Sequence, residues 1–241
     1  MDKPASHSRS GPVGNIVMDD GKLNIMSVDM LAALHRAFDE AERDQTVAVL
    51  TGRGKAFSAG FDLNVFAAGT AKEMYTMLKS GAELALRLLS FPMPVVAACN
   101  GHALPMGAFL LMSSDIRIAA EGAYQIGMNE VAIALTVPGF AVEVARNRLT
   151  PPYFNRLLTT GQMLPPAEAA AAGFVDWTVP AAELDAAAAK AAQALSKIDM
   201  AAHAATKLRA RAPAIKAIRA AIDSDITLAY AEERVAQRRA A

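Results

Sequence analysis

The sequence predicts an α/β domain in which short buried strands alternate with crossover helices, followed by a helical C-terminal region. Three observations carry that expectation. Apolar runs of strand length recur at residues 13–18, 47–51, 95–99 and 115–119, each next to turn-forming residues. Between them apolar side chains return at three- and four-residue spacing, the period of a helix with one buried face. After about Pro180 the composition shifts to a tail rich in Ala, Arg and Lys.

Residues 1–12 read as a frayed polar tail with no apolar stretch of a secretory signal. A strand over 13–18 ends in the turn Asp19-Asp20-Gly21. Ser27 is placed to cap a helix, because Met30, Leu31, Leu34, Phe38 and Ala41 follow at helical spacing opposite Asp39, Glu40, Glu42 and Arg43. The run 47–51 stops at Gly52, and a second helix covers roughly 71–89 before Phe91-Pro92-Met93-Pro94 ends it. The run 95–99 closes at Asn100-Gly101, a short apolar helix covers 107–112, and 115–119 is a further strand. Leu184, Ala188, Ala191, Leu195 and Ile198 keep helical spacing. The expected organisation is a tail over 1–12, an α/β core over 13–182 and a helical region over 183–241.

Composition removes several function classes. The 241 residues carry 24 basic and 24 acidic side chains, and a net charge of zero argues against a nucleic-acid-binding surface. Cys99 is the only cysteine, so an intrachain disulfide and a cysteine-based metal site are both excluded, and no metal is expected. No run of about 18 apolar residues is free of charge, so no membrane partner is expected and the cytoplasm is the default compartment.

Two segments could carry chemistry. Gly52-Arg53-Gly54-Lys55-Ala56-Phe57-Ser58-Ala59-Gly60-Phe61-Asp62-Leu63 follows a buried strand, and its glycines permit sharp turns that leave backbone N–H groups free for an anion. Asn100-Gly101-His102-Ala103-Leu104-Pro105-Met106-Gly107-Ala108-Phe109-Leu110-Leu111 joins a strand to a helix start, where unpaired N–H groups can polarise a carbonyl or hold an oxyanion. Taken singly, the first reads better as a glycine-punctuated surface loop and the second as an ordinary strand-to-helix turn.

Together the two segments resemble the crotonase (enoyl-CoA hydratase/isomerase) superfamily, the first its A-F-x-A-G-x-D-[LI] loop and the second its N-G-x-A-x-G-G-G segment. Gly127-Met128-Asn129-Glu130-Val131, with Val137-Pro138-Gly139 behind it, resembles the family's catalytic-glutamate stretch. Ala170-Ala171-Ala172-Gly173-Phe174-Val175-Asp176 resembles its A-x-x-x-G-[LF]-[VI]-D element. The resemblance runs in order from about Ile16 into the helical tail. It implies a spiral of repeated ββα units with a helical trimerisation region, and a homotrimer or hexamer.

The same resemblance implies an acyl-CoA thioester substrate, with coenzyme A present only as part of that substrate and no separate cofactor. It places the oxyanion donors at the backbone N–H groups of Phe61 and Met106, and the acid/base at Glu130. Ala59, Asp62, Leu63 and Asn64 fall where the family wraps CoA. Lys55, with Arg53 behind it, falls where CoA phosphates are met. Lys207, Arg209 and Arg211 are expected on a solvated helix face, and Glu143 on a helix surface. Phe109 and Gly107 are expected at the acyl pocket, beside Met77 and Leu78. Two departures stand out. Pro105 and Met106 replace glycines, and Phe109 occupies the position where hydratases of the family carry a second glutamate. One carboxylate suffices to shuttle a proton, so the expectation leans to double-bond isomerisation or slow hydration. A catalytically silent acyl-CoA binder is the alternative.

Overall fold

The computed structural model describes residues 3–240, with side chains to 238. Strands β1 (Ala5–Ser10), β2 (Val13–Met18) and β3 (Val47–Gly52), with helix α1 (Val28–Arg43) between the last two, open the main sheet. β4 (Ala56–Ser58), α2 (Leu63–Ala68) and α3 (Ala71–Ser90) follow, then β5 (Val95–Cys99), β6 (His102–Ala103), α4 (Pro105–Ser113) and β7 (Ile116–Ala120). Beyond these come α5 (Gly139–Arg148), α6 (Pro151–Thr160), α7 (Pro166–Ala172), β8 (Trp177–Val179), α8 (Leu184–Leu195), α9 (Met200–Asp225) and α10 (Leu228–Ala240).

The main sheet has the order β1-β2-β3-β5-β7-β8, parallel throughout except for β1. β5 is buried at every position, so both of its faces are covered, as parallel sheets require. After each central strand the chain turns into a second, smaller layer. β4 pairs with β6 in parallel, and Ile126 bridges both Ala103 and Leu164. This repeated strand–turn–strand–helix unit places the two glycine-containing segments side by side. The helix starts match the sequence reading: the Ser27 side chain accepts from the Met30 N–H, and Thr70 and Glu73 form a reciprocal capping box at α3.

Two expectations are corrected. Residues 5–10 are an edge strand, not a frayed tail. Ala-Ser-His-Ser-Arg-Ser has no apolar run, but antiparallel pairing to β2 through a turn at Gly11 (φ +59) supplies its hydrogen bonds. The helical region after residue 183 packs on the core, where α8 buries Leu184, Ala188 and Ala192 against β3, β5 and β7. Lys207 and Arg211 do not sit on a solvated face. The Lys207 ammonium donates to the Asp115 carboxylate (2.6 Å) and the Met93 carbonyl (3.3 Å), and the Arg211 guanidinium donates to the other Asp115 oxygen (2.8 Å). Burial pushes the Lys207 ammonium down to about 8, against the pull of Asp115.

Candidate active site

The turn that leads out of β3 is held from two sides by neutral amides. Asn24, buried and left-handed at φ 54, donates to the carbonyls of Arg53 (3.1 Å) and Ala56 (2.8 Å). Its own position is fixed by Asp20, whose carboxylate accepts the N–H groups of Lys22, Asn24 and Ile25. From the other side, Asn100 accepts from the Gly52 N–H (3.1 Å) and donates to the Gly54 and Ala56 carbonyls (3.2 and 3.3 Å). The buried Ser58 hydroxyl then donates to the Asn24 carbonyl (2.7 Å) and accepts from the Gly60 N–H (3.1 Å). Gly60 turns through φ +87, a conformation costly for any residue with a Cβ, and delivers Phe61. Among the described residues the Phe61 N–H has no acceptor in the protein.

The second segment abuts the first. The Leu104 N–H donates to the Ser58 carbonyl (2.9 Å), and a Cβ on Gly107 would lie 3.0 Å from that same oxygen. α4 starts here with Pro105 at its first position and no side-chain cap on Leu104. Proline fits where no N–H is needed, and the next two N–H groups, of Met106 and Gly107, have no intrahelical partner. Phe61 and Met106 converge on Gly81 of α3. A Cβ there would sit 2.5 Å from the Phe61 ring and 3.3 Å from the Met106 Sδ. Two free N–H donors are thus presented from adjoining backbone segments, with an apolar helix behind them.

Glu130 lies on a third segment, whose start pairs with the second. The Ala103 N–H donates to the Gln125 carbonyl (3.1 Å), and the Gly127 N–H returns to the Ala103 carbonyl (3.0 Å). Glu130 then opens a 3-10 turn (Val131–Ile133), and its carbonyl accepts from Ile133 and Leu135. Glu130 is only 6% exposed, and Oε2 has no hydrogen-bond partner. Burial pushes the carboxyl up to about 7, because a charge in this setting loses water and the residue's own backbone N–H offsets only part of that cost. A carboxylate poised near neutrality can both accept and return a proton.

The remaining sequence candidates take varied places. Asp62 caps α2 through the Asn64 N–H (2.9 Å). Leu63, Asn64 and Lys55 are exposed beside the turn, and Ala59 is half-buried with its N–H on the Leu23 carbonyl. Arg53 lies 3.6 Å from Asp19. Phe109 is fully buried edge-on against Phe140 at 5.6 Å, and Met77 and Leu78 are buried on α3. Glu143 pairs with Arg146 on α5. The fourth motif is architectural: Arg117 bonds the Asp176 carboxylate and the Gly173 carbonyl (2.6 Å), tying β7 to β8. Two surface grooves, of about 610 and 440 Å³, border α9 and are not lined by Phe61, Met106 or Glu130.

Sequence reasoning missed Asn24, Ser58 and Gly81. Asn24 stands among turn residues that gave no hint of burial, and Gly81 interrupts a helical pattern without breaking it. A glycine inside a helix is a signal of close approach that could have singled it out.

The second strand layer thus sets the two glycine-containing segments side by side, with the segment that leads to the buried Glu130 paired to the second of them. The chain belongs to the enoyl-CoA hydratase/isomerase family, whose sequence model matches residues 8–240. It is similar to a solved enoyl-CoA isomerase from Mycobacterium tuberculosis (45% identical, TM-score 0.87), with 92% of this chain and 97% of that one covered. It is also similar to a solved enoyl-CoA hydratase from Mycobacterium ulcerans (44% identical, TM-score 0.88), with 96% and 99% covered. Among curated relatives, an enoyl-CoA delta isomerase from Arabidopsis thaliana is 34% identical over 61% of this chain. That match spans 65% of the relative's length, as does the match to a Thermus thermophilus relative. The fold is that of the crotonase structures, with a helical C-terminal region. Among the described residues no helix is long and apolar enough to cross a membrane.

Proposed function

We propose that the chain binds an acyl-CoA thioester, holds its enolate oxygen between the N–H groups of Phe61 and Met106, and moves a proton with Glu130. The observation that carries this reading is Glu130: a residue 6% exposed, its carboxyl unpartnered at Oε2 and pushed up to about 7 by burial. With the thioester oxygen accepting from both N–H groups, the carboxylate takes the C2 proton and the released electron pair delocalises onto that oxygen. In a 3-enoyl-CoA the pair extends over the adjacent double bond. Return of the same proton at C4 leaves a 2-enoyl-CoA, with no water consumed.

Phe109 supports isomerisation over hydration. Its ring is fully buried against Phe140 at the position where the family's hydratases hold a second carboxylate. Water activation then lacks one of its two acid/base groups, whereas a proton shuttle needs only Glu130. Lys55, exposed beside the turn, and Ala59, Asp62, Leu63 and Asn64 are the proposed CoA contacts.

The test compares 3-enoyl-CoA isomerisation with 2-enoyl-CoA hydration for the wild type and Glu130→Gln. The expected result is faster isomerisation, lost in the variant by at least about 100-fold, with octanoyl-CoA binding retained. Unchanged turnover in Glu130→Gln would remove Glu130 from the chemistry. Binding without turnover of any enoyl-CoA would instead identify an inactive acyl-CoA binder. A homotrimer or hexamer remains part of the proposal, to be checked by light scattering.

A further inference from the structure

We propose that Arg238 is a positioning residue for acyl-CoA binding, strapping the short helix α2 against the candidate site; the proposal rests on the acyl-CoA reading above. α2 has little packing of its own. None of its six residues is fully buried, and Leu63 is 58% exposed. Its first turn is capped by Asp62, but its last carbonyls are not closed by a left-handed residue, since Gly69 is extended at φ −68 and ψ 165. An uncapped helix end of this kind frays unless a donor comes from elsewhere.

Arg238 supplies that donor from α10. One guanidinium nitrogen donates to the Phe66 carbonyl (3.0 Å) and the other to the Gly69 carbonyl (2.9 Å). The planar fork spans two acceptors at once and brings positive charge to the C-terminal end of the helix. Α shorter path to the site then runs through aromatic contact. The Phe66 ring stands edge-on to the Phe61 ring at 6.5 Å, and the Phe61 ring rests against Gly81 beside the Met106 thioether. Arg238 therefore holds α2, which carries the proposed CoA contacts Leu63 and Asn64, and through Phe66 it bears on the wall formed by the Phe61 ring. α10 itself packs on α3, the helix that carries Gly81. The strap is anchored on the same element as the wall it supports.

The test uses the full chain with Arg238→Ala and Arg238→Lys. Amide hydrogen exchange is followed in peptides covering residues 63–69, with α1 peptides as the internal control for global folding. Octanoyl-CoA binding is measured by calorimetry, and KM and kcat are measured with 3-hexenoyl-CoA. In Arg238→Ala, exchange over 63–69 should rise about tenfold, the loss expected for charge-assisted bonds at a helix end. Octanoyl-CoA affinity and KM should both worsen about tenfold with kcat held within about twofold, a loss of binding and not of chemistry. Lysine, reaching one carbonyl, should recover part of the loss. Unchanged exchange over 63–69 would overturn the strap, and faster exchange with unchanged octanoyl-CoA affinity would overturn its positioning role. If the wild type fails to bind octanoyl-CoA, the functional reading fails, and the exchange result alone decides whether Arg238 holds α2.

Discussion

Replacing Glu130 by Gln should make the folded chain progressively more stable than the wild type as pH rises from 5 to 8. The Glu130 carboxyl lies at about 7 in the fold against an ordinary 4.5, with burial the leading cause. Between those two values the folded chain keeps a proton that the unfolded chain has released. Wild-type stability therefore falls as pH rises through this window and levels off above about 7. Glutamine has no proton to hold, so its curve lacks that decline. A displacement of this size corresponds to about 3 kcal/mol at full ionisation, to be read as an order of magnitude. For a chain of this length that is roughly 6–12 °C in melting temperature.

The assay is a set of thermal melts of both proteins at pH 5, 6, 7 and 8, taking the difference at each pH. All other titrating groups are common to the two chains and largely cancel. A difference that stays flat, or that shrinks with pH, would show that Glu130 is solvated or paired in solution and would refute the argument from burial. The same group is the proposed base. If the ionised form is the base, kcat/KM for isomerisation should climb through about pH 7 with the loss of one proton. Stability and activity then move in opposite directions over the same window.

Two further outcomes follow from contacts in the fold. Gly81→Ala should retain stability to within about 1 kcal/mol, since alanine favours a helix, but its Cβ would meet the Phe61 ring at 2.5 Å and displace it. Turnover should fall about tenfold or more, and an unchanged rate would mean that Phe61 does not set the site. Asp115→Ala leaves Lys207 and Arg211 without their carboxylate and frees the Val95 N–H. That variant should lose about 3–5 kcal/mol in urea denaturation, and a loss below about 1 kcal/mol would show the cluster to be solvated.

The sheet was legible where burial leaves a mark on one segment: β3 and β5 read as continuous apolar runs because both faces of a parallel strand are covered. β1 left no such mark. One edge strand, mostly exposed, can be polar throughout, and its existence depends on β2 rather than on its own side chains. Lys207 was unreadable for a related reason, since its burial depends on Asp115, 92 residues away. Within the candidate site, Phe61, Met106 and Glu130 are proposed from ordered motifs and not from periodicity. The free N–H of Phe61 is a property of backbone path, set by Gly60 and by two distant amides. The burial of Glu130 is equally opaque, because its neighbours Val131 and Ile133 are themselves exposed. Arg238 lies in a tail whose charges all look alike until α2 is placed beneath one of them.

The two asparagines that clasp the turn before Phe61 have a consequence for how this protein can be interrogated. Asn24 and Asn100, joined by the Ser58 hydroxyl, fasten residues 52–60 through groups that neither gain nor lose a proton in the range where proteins stay folded. The one ionisable member of that frame is Asp20, which fixes Asn24; against some burial, the Ile25, Asn24 and Lys22 N–H groups hold its carboxyl below the ordinary range, so the frame around the proposed oxyanion donors is silent near pH 7. A change in turnover near pH 7 can be read as the titration of the proposed base, Glu130, and not as loosening of the turn proposed to hold the thioester.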